Sequence, residues 1–376
     1  MFVCERVLTR DGWLYQQQIT LSGRQILSIE PAPQDHQLPY YRGSLLPGFI
    51  DVQVNGGGGV LFNHDCSVDA LQQIMQAHHQ YGSTALLPTF ITDDFSAMSR
   101  AAEAIIAARA QAVAGIVGVH FEGPWLFAGR KGVHRADYMR APSAAELALL
   151  TQPELGVVMV TLAPEMVTTE VITQLAQAGI RVMLGHTDAS AELANQAFAA
   201  GAVGCTHLFN AMSQLQGRSP GVVGACLAND SYAGIIIDGH HVAAEACRLA
   251  YKAKGAERLM LVTDAMALAA TDADQCDLFG VTIRRQSDRL TTAEGTLAGS
   301  CLTMLAAVQN AVRLCGISLA DAARMAATTP ATLLGLDTHQ GHLAAGLQAD
   351  MVLLNDALQL QQVWQLGKPL YAEIKQ

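Results

Sequence analysis

The sequence predicts an α/β fold, a closed (β/α)8 barrel with a small β sandwich built from the two chain ends, on three observations. Eight apolar, β-prone runs follow one another through the middle of the chain, with amphipathic helix-like segments between most of them. Polar residues gather at the C-terminal ends of those runs. Short strand-like stretches punctuated by Gly and Pro occupy both termini.

Taken in order, residues 1 to about 45 read FVCERVLT, GWLYQQQITLS and GRQILSIEPA, with the polar alternation of a small antiparallel sheet. The C-terminus returns to the same style in GHLAAGLQADMVLLND and LQLQQVWQLGKPLYAEI. Neither end has enough strand to bury a face alone, so the two are expected to combine. The expected domains are 1–45 plus 341–376 for the β unit and 46–340 for the barrel.

The eight runs are GFIDVQV (48–54), TALLPTF (84–90), IVGVHFE (116–122), VVMVTLA (157–163), IRVMLGH (180–186), VGCTHLF (203–209), YAGIIID (232–238) and RLMLVTD (258–264). Segments such as VDALQQIMQAHHQYG, AMSRAAEAIIAARAQA and MVTTEVITQLAQAG separate them. Near-continuous apolar strands alternating with amphipathic helices mark a parallel sheet covered on its outer face, and eight of them suggest closure. A doubly wound open sheet is the alternative.

Barrel enzymes build their chemistry at the C-terminal strand ends. Asn55 lies just past the first run here, Glu122 ends the third, His186 the fifth, Asp238 the seventh and Asp264 the eighth, and His207 lies near the end of the sixth. Residues 180–212 form a strand, an Ala-rich helix and a second strand. Such a crossover makes both strands parallel and brings both ends to one edge, so His186 and His207 face one pocket. A single His at a strand end is more often an ordinary hydrogen-bonded residue than a ligand, and it is the pair in equivalent positions that points to a metal site.

A net charge of −10 over 376 residues argues against nucleic acid or an anionic membrane as partner. No run approaches the roughly 20 apolar residues of a spanning helix. The start, MFVCERVLTRDGW, has no apolar leader region, so the cytoplasm is expected. The eight cysteines are scattered without a CxxC pair, which fits reduced core thiols.

Glu122, in VGVHFEGPWL, is a carboxylate closing an apolar strand, costly to bury without a cation or donors. With His186 and His207 it makes a His2Glu set, which is found at catalytic zinc sites with a fourth position open to water. His120 shares the parity of Glu122 and remains an alternative ligand, although Glu122 is nearer the rim. Asp264, in LMLVTDAM, is placed by closure near the first strand. A carboxylate beside a metal-activated water can act as general base and then as acid toward a leaving amine. Arg218, in QLQGRSPG, offers a planar guanidinium suited to an anion, and reads equally as a solvated loop arginine. His240 or His241, in DGHHV, and Lys131, in RKGVH, are further cations for an anionic ligand. The Gly56 to Gly59 run lacks the spacing of a nucleotide fingerprint and reads as a rim loop.

The blocks PGFIDVQVNG, HFEGPWL, KGVH, TLAPE, GHT, THLFNAM, GRSPGVVG, DGHHV, LVTDAM and GTLAGS, in this order, resemble the N-acetylhexosamine-6-phosphate deacetylases of the amidohydrolase superfamily, most closely those acting on the glucosamine epimer. The resemblance covers nearly the whole chain. It implies hydrolysis of the acetamide of N-acetyl-D-glucosamine 6-phosphate to the amine and acetate. The alternatives are the galactosamine epimer and, more distantly, a non-catalytic sugar-phosphate-binding homologue.

The resemblance also implies one divalent ion per subunit, expected to be Zn2+, on Glu122, His186 and His207, with Asp264 as catalytic acid/base. It places His134 beside the substrate carbonyl, Val133, Asn210, Ala211 and Asp238 on the substrate, and Arg218 and His241 on its phosphate. Leu297, Ala298 and Gly299 form a further contacting loop. Homodimers, with the arginine loop near the partner subunit, are implied as well. Members usually carry a His-x-His pair on the first strand where this chain has Gln53 and Asn55. Neutral amides are poor transition-metal ligands, so a mononuclear site is expected.

Overall fold

The computed structural model describes residues 1–370. Eight parallel strands follow one another around the barrel in chain order: β1 (Phe49–Val54), β2 (Ser83–Ile91), β3 (Gly118–Glu122), β4 (Val157–Leu162), β5 (Arg181–Leu184), β6 (Gly204–Cys205), β7 (Tyr232–Ile235) and β8 (Leu259–Leu261). Each lies within or overlaps one of the eight apolar runs. Almost every residue in these strands is buried, because side chains fill the barrel on one face and meet helices on the other. Hydrogen bonds past the end of β8 complete the ring: Asp264 N donates to Gln53 O at 3.0 Å and Asn55 N to Ala265 O at 2.9 Å. The covering helices start where the sequence offers side-chain caps. Ser67 accepts from Ala70 N, Asp94 from Ala97 N and Ser190 from Leu193 N, each satisfying an otherwise orphaned first-turn N–H.

The two chain ends share one seven-stranded sheet. Strands Tyr40–Pro47 and Met351–Leu354 pair at its centre, and the N-terminal strands Phe2–Thr9, Gly12–Ser22 and Gln25–Pro31 extend it on one side. The sheet curls, since Gln25 bridges to Gln348, and it encloses a core of its own around Ile19, Leu45, Met351 and Trp364. Gly48 alone separates strand Tyr40–Pro47 from β1. Residues 371–376, which the sequence assigns to the terminal β unit, lie outside the described residues.

One element was not legible in the sequence. Between β8 and the helix Met304–Arg313 the chain inserts a three-stranded antiparallel sheet, Gln275–Leu278, Val281–Gln286 and Arg289–Thr291. It packs through Leu278, Ile283 and Leu290 onto Met266 and Leu268. Among the described residues no helix is long and apolar enough to cross a membrane.

Candidate active site

The candidate side chains sit at or just past the strand ends. His186, His207 and Asp264 take left-handed backbone conformations, with φ of 48°, 31° and 50°. For residues with a Cβ such conformations are strained by roughly 1–3 kcal/mol each, and they persist only where the surroundings fix them. Asn210 helps to do so at His207, donating its side-chain amide to the His207 carbonyl at 3.2 Å. At Asp264 the barrel-closing bond to Gln53 O does the same.

Glu122, His186 and His207 converge as the sequence predicts. Glu122 Oε1 lies 3.0 Å from His207 Nε2 and 3.4 Å from His186 Nε2, and the two Nε2 atoms are 3.1 Å apart. All three residues are buried. His186 Nδ1 donates to the Arg130 carbonyl at 2.8 Å, which leaves its Nε2 lone pair aimed into the cluster. Burial would push Glu122 up, but the two imidazoles beside its carboxylate outweigh it and hold the carboxyl well below its usual range. Burial likewise opposes charge on His207, yet the Glu122 carboxylate prevails and raises its pKa. The Glu122 carboxylate thus favours a cation at the point where two imidazole nitrogens and a carboxylate oxygen face inward. A divalent cation fits that donor set. His120 is resolved as structural: its ring spans Thr89 Oγ1 at 3.3 Å and Thr161 Oγ1 at 2.7 Å inside the barrel.

Asp264 Oδ1 accepts from Asn55 Nδ2 at 2.7 Å and from Gln53 Nε2 at 3.2 Å. The same Gln53 nitrogen reaches Glu122 Oε1 at 3.1 Å. The two amides therefore present N–H groups where a second cation would need lone pairs, in keeping with a single-ion site. Burial, and then the charge of Glu122, push Asp264 up to about 6, close to the working range of a general base.

His134 Nδ1 pairs with Thr92 Oγ1 at 2.9 Å, and its Nε2 lies 3.8 Å from Glu122 Oε2. Burial, and then His186, lower it to about 3, so it is a neutral imidazole at neutral pH. The Thr92 hydroxyl donates to the Glu122 carbonyl at 3.3 Å, and the Nε2 edge of the His134 ring faces the site.

These groups floor a cavity of about 640 Å3. Its wall includes Val133, His134, Asn210, Ala211, His241, Leu297 and Gly299, so most of the expected substrate contacts come together. Three do not line it. Asp238 sits behind His241, accepting from its Nδ1 at 2.6 Å and from the backbone N–H of His240 and His241, each at 2.8 Å. Ala298 is fully buried in the apolar cluster beneath the insert. Arg218 is exposed on the tight turn between Gln216 and Ser219 and is not among the residues lining the cavity. Sequence reasoning missed Thr92, as well as the hydrogen bonds that Gln53 and Asn55 make in place of metal ligation. The only signal for the amides was their position at the end of β1.

Residues 44–373 match the Amidohydrolase family. An N-acetylgalactosamine-6-phosphate deacetylase of Shewanella sp. (strain ANA-3) is 44% identical over 89% of this chain and 85% of its own. An N-acetylglucosamine-6-phosphate deacetylase of Haemophilus influenzae is 37% identical over 84% of each chain. The crystal structure of N-acetylglucosamine-6-phosphate deacetylase from Pasteurella multocida superposes with a TM-score of 0.93 at 36% identity, over 98% of this chain and 99% of that one. With a barrel, a strand-end His2Glu cluster and relatives that match along most of its length, this chain belongs to the amidohydrolase family.

Proposed function

We propose that the chain hydrolyses the acetamide of N-acetyl-D-glucosamine 6-phosphate to D-glucosamine 6-phosphate and acetate. The observation that carries this reading is the Asp264 carboxylate, held by two amides beside the Glu122, His186 and His207 cluster, on the floor of a cavity sized for a sugar phosphate. Glu122, His186 and His207 would hold a divalent ion, Zn2+ by the donor set, and that ion would supply Lewis acidity to the reaction.

The rest is done by side chains of this protein. Asp264 takes a proton from the attacking water and returns it to the amine nitrogen as the C–N bond breaks and acetate leaves. His134 donates to the carbonyl oxygen as negative charge builds there. His241, oriented by Asp238, reads the phosphate end, so that binding energy remote from the scissile bond holds the acetamide in attack geometry.

The 44% identity to a relative named for the galactosamine epimer supports that sugar as a second reading. Acetate release from both 6-phosphates, compared by kcat/KM, tests the activity and decides the epimer. We further read the chain as a cytoplasmic homodimer in which exposed Arg218 reaches the phosphate in the partner's cavity.

A further inference from the structure

Arg289 is a cation that the mechanism above leaves unused. It opens strand Arg289–Thr291 of the insert, it is exposed, and it lines the same cavity as His241. Among the described residues no hydrogen bond or ion pair engages its guanidinium. The other arginines near the rim are committed elsewhere: Arg130 bonds Asp188 at 2.7 Å and Arg135 bonds Asp137 at 2.8 Å.

The residue before Arg289 is anchored. Asp288 Oδ1 pairs with His240 Nε2 at 2.8 Å, and its carbonyl accepts from the Cys301 thiol at 3.1 Å. Ser287, at φ 61°, makes the tight turn that pairs Gln286 with Arg289. The His240–Asp288 link thus ties the residue before His241 to the residue before Arg289. It holds the two cavity-lining side chains on one stretch of the rim. Lys131 also lines the cavity, but beside Gly132, where an added Cβ would meet His186 Cε1 at 3.4 Å, at the reacting end.

We propose that Arg289 is a phosphate contact supplied within the same chain by the insert. Together with His241 it clamps the 6-phosphate, and Asp288 and His240 act as positioning residues. A guanidinium matches two phosphate oxygens at once, which an ammonium cannot do. The inference rests on the deacetylase reading, because it names the group that holds the phosphate of that substrate.

The test compares kcat/KM on an N-acetylhexosamine 6-phosphate and on the unphosphorylated sugar for the parent, Arg289→Ala, Arg289→Lys, Asp288→Asn and, as a control on the same insert away from the cavity, Arg284→Ala. Arg289→Ala should reduce the preference for the phosphorylated sugar about ten- to a hundredfold, mainly through KM, as expected for loss of a charged hydrogen bond. Arg289→Lys should recover part of that loss, and Arg284→Ala should keep the parental preference. Asp288→Asn should cost a few-fold in the parent and nothing further in the Arg289→Ala background, as coupled residues do.

Inhibition by inorganic phosphate gives a second readout independent of turnover, and its inhibition constant should rise in Arg289→Ala. An unchanged preference and an unchanged phosphate constant in that variant overturn the proposal while leaving the deacetylase reading intact. A parent protein that releases acetate from neither 6-phosphate overturns the deacetylase reading instead.

Discussion

Asn55 donates its side-chain amide to Asp264 Oδ1 across 2.7 Å, joining the first and last strands where the barrel closes. Gln53, two residues earlier on β1, reaches the same oxygen and also Glu122. Two amides therefore set both the position and the charge preference of the proposed base. A hydrogen bond donated to a carboxylate favours its charged form, so its removal raises the pKa. Asn55→Ala should move the acid limb of kcat/KM to higher pH and lower kcat about tenfold, the worth of one charged hydrogen bond. A pH–rate profile with an unmoved limb would show that Asn55 does not tune Asp264.

Asp264 works in its charged form, so turnover should fall as pH drops through its pKa. In the metal-free chain that pKa is about 6, and a bound cation draws it lower. Asp264→Asn should keep the ion and bind substrate while losing roughly 10²–10⁴ in kcat. Near-parental kcat would remove Asp264 from the role.

Arg218 does not line the cavity of its own chain, and its proposed contact is with the phosphate in a partner's cavity. Arg218→Ala should hurt the phosphorylated sugar far more than the free one. Mixing that variant with Asp264→Asn chains and allowing subunits to exchange should restore activity, because hybrid dimers pair an intact base with an intact arginine. No recovery on mixing, in dimers that do exchange, would rule out action across the interface.

Asp51 lies in the barrel interior, accepting from Gln53 N at 3.2 Å, Thr263 N at 3.3 Å and Thr263 Oγ1 at 2.5 Å. Burial pushes it up to about 7, against about 3.9 in an unfolded chain. With the folded value raised, its contribution to stability is complete below the unfolded pKa. It is lost as pH rises toward the folded one, by about 1.4 kcal/mol per pH unit. Asp51→Asn keeps an acceptor for the two N–H groups and removes that titration. The variant should gain stability relative to the parent between pH 5 and pH 7, measured by denaturant unfolding. Parallel pH dependence in the two proteins would refute the assignment.

The barrel was legible because strands buried on both faces leave continuous apolar runs, and Glu122, His186, His207 and Asp264 stand out as polar ends to those runs. The linkage from Gln53 and Asn55 to Asp264 was not, since it joins residues more than two hundred positions apart that meet only on closure. The insert escaped notice because its strands, QCDL, VTIRRQ and RLT, are short, polar and largely exposed, without the alternation that marks a buried face. Arg289 was hidden with it. Arg218 was legible as a loop cation, but its place outside the cavity depends on the tight turn at 216–219, which composition does not specify.

The most direct measurement is metal content and acetate release on the same samples of parent and Glu122→Gln protein. One divalent ion per parent chain is predicted, lost together with deacetylation in Glu122→Gln and in chelated parent, and restored with activity when Zn2+ is returned to the parent. Full deacetylation by rigorously demetallated protein, or a full complement of metal in Glu122→Gln, would contradict the assignment of this cluster as the catalytic ion site.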